Sequence, residues 1–145
     1  MAGPSVRLET QTGRRFAVTV SSAGGQVVLA DEPATAGGDD LGPSPYELLL
    51  ASLGACTAMT LRLYADRKGW PVERITVRLK HFRDYAADCK DCDDKKVQIE
   101  RIERVIDVEG DLDDSQHLRL LEIAEKCPVH RTLESRVKIE SRLAE

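Results

Sequence analysis

The first third of the chain alternates apolar and polar residues with a period of two. Val6 and Leu8, then Phe16, Val18 and Val20, then Val27 and Leu29 predict three short strands. Gly13 and the Gly24-Gly25 pair fall between them and predict turns. From Asp31 to Pro45 the chain is rich in Gly, Pro and Asp, the composition of a loop or strand edge. The period then changes. Ser44, Pro45 and Glu47 stand at the N-cap, N1 and N3 positions of a capping box, and Gly69 and Pro71 stop a helix near Lys68. Its middle, Leu48 to Met59, is apolar or small nearly all round, which predicts burial on most sides. One short chain covers such a helix poorly, so dimerisation is an economical cover and a wrapping sheet is the alternative.

A strand follows from Arg74 to Phe82, with Ile75, Val77 and Leu79 on one face. Its partner runs from Val97 to Val108. Val97 and Ile99 fit one parity and Ile102, Ile106 and Val108 the other, which predicts a bulge near Arg101. The polar run Asp88 to Asp94 between them predicts an exposed connection. Asp111 to Asp114 opens a second helix that carries Leu118, Leu121, Ile123 and Ala124 toward Cys127, where Pro128 interrupts it. Val137, Ile139 and Leu143 predict a closing strand. The whole reads as one α+β domain, residues 1–145, in two layers, with an antiparallel-rich sheet and two substantial helices.

Size and charge narrow the function. A length of 145 residues suits one domain with a real core. The balance of 21 basic against 25 acidic residues gives a net charge of -4, which weighs against a nucleic-acid surface. No run approaches the roughly 20 apolar residues of a membrane span, and Met1 to Arg7 is too polar for a signal peptide. A cytoplasmic setting is expected, where the four cysteines are free, catalytic or metal-binding rather than a disulfide framework.

Cys56 lies in the middle of the first predicted helix and Cys127 at the end of the second. Each has a plain alternative as a small buried hydrophobe. A reactive thiol needs a nearby cation or a helix N-terminus. Cys56 is well past its helix start, so its cation must come from another element. Cys127 is placed at a helix C-terminus, the wrong dipole end for a thiolate. On these local grounds Cys56 is the better attacking thiol and Cys127 the better resolving one. His130 and Arg131 follow Cys127, but cations at helix ends are common for dipole reasons alone. His117 is expected on a helix face. Cys89 and Cys92 have the spacing of a zinc half-site or a dithiol. They supply two ligands, to which His81 or the flanking aspartates could be added; incidental thiols in a solvent loop are the plain alternative.

Several segments together resemble the OsmC/Ohr family of hydroperoxide reductases. They are Asp31-Glu32-Pro33, the run from Gly37-Gly38-Asp39-Asp40-Leu41-Gly42-Pro43-Ser44-Pro45-Tyr46-Glu47 to Ala51, and Leu53-Gly54-Ala55-Cys56. Ala65-Asp66-Arg67-Lys68-Gly69-Trp70 and Cys127-Pro128-Val129-His130-Arg131-Thr132-Leu133 complete the set. The resemblance implies an intertwined homodimer with two long central helices enclosed by curved sheets. It implies two-cysteine peroxidase activity toward small lipophilic organic hydroperoxides, with Cys56 peroxidatic and Cys127 resolving. It implies no bound cofactor and an external dithiol reductant, such as a lipoyl group. The family sets an arginine from the N-terminal strands against the peroxidatic sulfur. Arg14 and Arg15 lie in the matching region, Arg15 being preferred, and a solvent-facing hairpin arginine is the alternative.

The family also pairs that arginine with a glutamate near the helix start. The usual acidic position holds Tyr46 here, and the acid is Glu47, one residue later. Nine residues separate Glu47 from Cys56. On a continuous helix that is about 13.5 Å of rise and about 180° of rotation, so Glu47 cannot touch Cys56 of its own helix. It would orient the arginine, across a dimer interface or through a bend, or serve only as the capping-box acid. Two other function classes stay open: a non-catalytic small-ligand or metal-binding dimer on the same scaffold, and a structural protein with inert cysteines.

Overall fold

The computed structural model describes residues 2–85 and 98–144. Its contacts group the chain into two compact units, Met1–Leu49 and Leu50–Glu145.

In the first unit the alternating segments form β1 (Val6–Thr10), β2 (Val18–Ser22) and β3 (Val27–Ala30), an antiparallel sheet in the order β1-β2-β3. Leu8 stands opposite Val20, and Val20 opposite Val28. Gly25 sits at φ +83° in the β2–β3 turn, a conformation that costs glycine little. The Gly/Pro/Asp-rich segment is an ordered loop with a 3-10 turn over Ala34–Ala36. Its organiser is Asp31, buried at 2% exposure. The Asp31 carboxylate accepts backbone N–H bonds from Glu32 at 2.8 Å, Asp39 at 3.1 Å and Leu41 at 3.3 Å. Gly42 is required by close approach: a Cβ there would meet the Leu29 carbonyl oxygen at 1.9 Å.

Helix α1 runs over Pro45–Lys68, as its start and stop signals predict. Ser44 and Glu47 form the capping box. The Ser44 N–H donates to Glu47 Oε2 at 2.8 Å, and the Glu47 N–H donates to Ser44 Oγ at 3.3 Å.

In the second unit β4 (Val72–Tyr85) and β5 (Gln98–Gly110) form an antiparallel pair. The register is regular from Arg74–Glu109 to Tyr85–Gln98, and its one shift lies between Val72 and Arg74. The bulge expected near Arg101 is therefore absent. Ile99 simply points to the other face of a regular strand, while Ile102, Arg104, Ile106 and Val108 share the less exposed face. The CxxC connection falls outside the described residues.

Helix α2 (Asp114–Ala124) starts on a capping box between Asp113 and Gln116. It packs Leu120, Ile123 and Ala124 against Leu61 and Ala65 of α1 and Val72 of β4. Tyr64, Trp70, Ile75, Ile106, Val108 and Leu112 surround this core. Fully burying a Leu or Ile in such a cluster stabilises by about 1.5–3 kcal/mol. Leu118 and Leu121 of the same helix are exposed, because α2 turns only one stripe to the core. Helix α3 covers Pro128–Glu134.

The expectation that helix α1 is buried on most sides is met along one stripe only within the single chain, and two further expectations need correction. Leu53, Gly54, Thr57, Leu61 and Ala65 form one buried stripe, and Met59 remains 70% exposed. By length and composition α1 is also apolar enough to cross a membrane, contrary to the reading of the bare sequence, although its buried stripe serves the chain's own core. Lastly, no strand forms over 136–144 among the described residues. Val137, Ile139 and Leu143 are exposed, because alternation creates a strand only where a sheet edge is there to pair with it.

Candidate functional site

Cys127 begins a helix rather than ending one. Helix α2 stops at Ala124, and Cys127 is the N-cap of α3, followed by Pro128 at N1. Its Sγ accepts the His130 N–H at 3.4 Å. Cys127 thus stands at the helix end whose dipole favours a thiolate, not at the C-terminus expected from the sequence, and N–H groups converge on its sulfur. Cys127 is fully buried, whereas Cys56 on α1 is half-buried.

The two thiols are neighbours, and each changes the ionisation of the other. Burial pushes the Cys56 thiol above its ordinary value. The hydrogen bond and charge of Cys127 push it the same way, against the Val129 N–H and the Thr60 hydroxyl. Burial opposes ionisation of Cys127 as well. There the donors win: His130 N–H, the Cys56 thiol, the Thr57 hydroxyl and Val129 N–H together hold Cys127 below its ordinary value. The two sulfurs therefore ionise as a pair, with Cys56 held above and Cys127 below the ordinary thiol value.

A second layer supports this pair. Arg104, on the inner face of β5, donates through Nη1 to Thr57 Oγ1 at 2.9 Å and through Nη2 to His130 Nδ1 at 3.2 Å. An arginine has only donors, so His130 Nδ1 is the acceptor and the ring proton belongs on Nε2, which faces Glu134 Oε2 at 3.2 Å. The Thr57 hydroxyl donates to the Leu53 carbonyl at 2.7 Å. Among the described residues no carboxylate pairs with Arg104. Sequence reasoning missed Arg104. The available signal was a charged residue in the apolar row Ile102, Ile106 and Val108.

The other expected site residues have the following places. Arg14 pairs with Asp39 at 3.1 Å. Arg15 lies over the ring of Phe16, 4.8 Å from its centroid. Glu47 is engaged in the α1 capping box. His81 pairs with Glu100. His117 bonds the carbonyls of Asp113 and Val108, at 3.0 and 3.2 Å, and stays remote from this chemistry. Arg131 is exposed on α3. Cys89 and Cys92 lie outside the described residues, among which no cluster of three metal-ligating side chains occurs.

The fold recurs in solved structures of low sequence identity. An OsmC-like protein from Mycoplasma pneumoniae superimposes with a TM-score of 0.70 at 17% identity, covering 92% of this chain and 88% of that one. The organic hydroperoxide resistance protein OsmC from Legionella pneumophila gives 0.65 at 18% identity, over 92% and 90%. An organic hydroperoxide resistance protein from Elizabethkingia anophelis, solved with thiocyanate bound, gives 0.66 at 19% identity, over 92% and 89%. No curated protein matches the sequence. The profile of the OsmC-like protein family matches residues 37–142, a span that holds Cys56, Thr57, Arg104 and Cys127. With the antiparallel sheets, the long helix and the paired thiols already in place, that match makes this chain a member of the OsmC-like family.

Proposed function

We propose that the protein is a thiol peroxidase that reduces organic hydroperoxides to alcohols. The observation that carries it is the meeting of two free thiols, half-buried Cys56 on α1 and buried Cys127 at the start of α3, close enough to act on each other's ionisation. Cys56 is the sulfur a peroxide can reach. Cys127 is the sulfur that holds negative charge.

The pair shares one proton, and its transfer from Cys56 to Cys127 creates the attacking thiolate. That thiolate attacks one peroxide oxygen, the O–O bond breaks, and Cys56 becomes a sulfenic acid while the alkoxide leaves and takes a proton to become the alcohol. Cys127, readily ionised again, attacks the Cys56 sulfur. Hydroxide leaves, is protonated to water, and a Cys56–Cys127 disulfide remains. An external dithiol, a lipoyl group being one such compound, returns two electrons and two protons by exchange. Arg15 and Glu47 enter as tuning residues for Cys56 from the family resemblance alone. The names of the Legionella and Elizabethkingia relatives support hydroperoxides as the substrate class.

A cytoplasmic homodimer belongs to the same proposal. Met59 and Leu63 of α1 are exposed apolar residues of the kind a second copy would cover. Rapid mixing with cumene hydroperoxide should consume two thiols per peroxide and yield a Cys56–Cys127 disulfide by peptide mass mapping. Cys127→Ser should stop at sulfenic or over-oxidised Cys56. If Cys56 stays reduced while Cys89 and Cys92 are oxidised, the chain is not a peroxidase, and a non-catalytic binding role takes its place.

A further inference from the structure

We propose that Arg104 is a positioning residue for the thiol pair. Anchored by His130, it holds the Thr57 hydroxyl as a switchable donor that turns from the Leu53 carbonyl to the Cys127 sulfur when that sulfur ionises. The inference deepens the thiol-pair reading and rests on it for its purpose.

The geometry leaves Thr57 a single proton and two acceptors. Its hydroxyl donates to Leu53 O, 2.7 Å away, and the Cys127 sulfur, buried like Thr57 and acted on by its hydroxyl, is the second. A neutral Cys127 makes no demand for that proton. A thiolate does, because the side chain is fully buried and no water competes. Turning away from Leu53 costs little, since that carbonyl also lies in the backbone ladder of α1, where the Thr57 N–H is its partner. Arg104 Nη1 donates to the Thr57 oxygen at 2.9 Å, a bond to the oxygen that rotation of the hydroxyl proton does not require to break. It occupies one lone pair and polarises the O–H toward the sulfur. A cation thus acts on the thiol through a hydroxyl without touching it.

Among the described residues, these charged and titratable groups stand around the switch. On α1 there is Cys56. On β5 there is Arg104. On α3 there are His130, which accepts from Arg104, and Glu134 beyond it. On β4 the residue opposite Arg104 is Leu79, and His81, two positions along, is paired with Glu100.

The test uses the full chain with Cys56, Cys89 and Cys92 replaced by serine, so that Cys127 alone titrates. The readout is thiolate absorbance against pH, with circular dichroism to report folding. Thr57→Val and Arg104→Met should each raise the Cys127 midpoint by about one pH unit. Thr57→Ser, which keeps the hydroxyl, should restore it, and Arg104→Lys should restore it in part. A Cys127 midpoint equal in folded Thr57→Val and Thr57→Ser chains overturns the proposal. If the valine chain does not fold, equal midpoints for Arg104→Met and the parent overturn it instead. No peroxide is involved, so the outcome is separate from the peroxidase test. A titration shift without peroxide consumption removes the peroxidase and leaves the switch, and peroxide consumption without a shift does the reverse.

Discussion

Cys127 accepts a hydrogen bond from the backbone N–H of His130 at 3.4 Å, in the helix-start position where Ser, Thr, Asp and Asn are preferred. A thiol there does two jobs. It caps α3, and it gathers N–H groups onto a sulfur that would otherwise resist ionisation in a buried site. The same contact links the end of the α2 connection to the chemistry of α1, because Cys56 shares that sulfur's environment.

The capping and redox roles separate on substitution. Cys127→Ser keeps an N-cap acceptor, so stability should change by less than about 1 kcal/mol in urea unfolding, while disulfide formation is lost. The charge and hydrogen bond that Cys127 adds to the effect of burial on Cys56 also disappear. In a chain with Cys89 and Cys92 replaced by serine, alkylation of Cys56 by iodoacetamide should then reach its half-maximal rate at lower pH than in the chain that keeps Cys127.

Stability should follow pH through Cys127 with a definite sign. Its folded value is depressed below the ordinary 9.0, so between the two values the unfolded chain binds more protons. Its contribution is present above the unfolded value and is lost as pH falls through the folded one. A folded chain whose only cysteine is Cys127 should gain in thermal midpoint as pH rises toward 9.0, relative to its Cys127→Ser counterpart. A flat difference across that window would sink the assignment of charge to this sulfur.

The loop before α1 depends on Asp31. Removing its carboxylate in Asp31→Ala leaves three backbone N–H groups without their acceptor. A loss of about 2–4 kcal/mol is expected in urea unfolding of the full chain. Gly42→Ala should cost as much by another route, since a Cβ would meet the Leu29 carbonyl oxygen at 1.9 Å and backbone must move. Substitution of exposed Thr35 to Ala serves as the control with little effect.

What could be read from the sequence was what short-range physics decides. The bounds of α1 follow from Ser44, Pro45 and Glu47 at one end and Gly69 and Pro71 at the other, because caps and breakers act within one turn. The three N-terminal strands and the β4–β5 pair follow from alternation. The segments quoted for the family resemblance were legible too, and Asp31 and Gly42 among them have local structural reasons to be there. Cys127 marks the boundary. In the sequence Pro128 reads as an interruption of one helix, yet proline is also the favoured first residue of the next, and only the break after Ala124 decides between them. The remainder required the fold. The link from Arg104 to Thr57 joins residues 47 positions apart, and its strength depends on distance and burial, not on sequence spacing. The paired sulfurs have the same origin, since neither cysteine carries in its neighbours the information of which one the other's N–H donors will charge. Val137, Ile139 and Leu143 show the limit from the other side: their alternation is local, but a strand needs a partner edge, and that is decided by tertiary and quaternary packing.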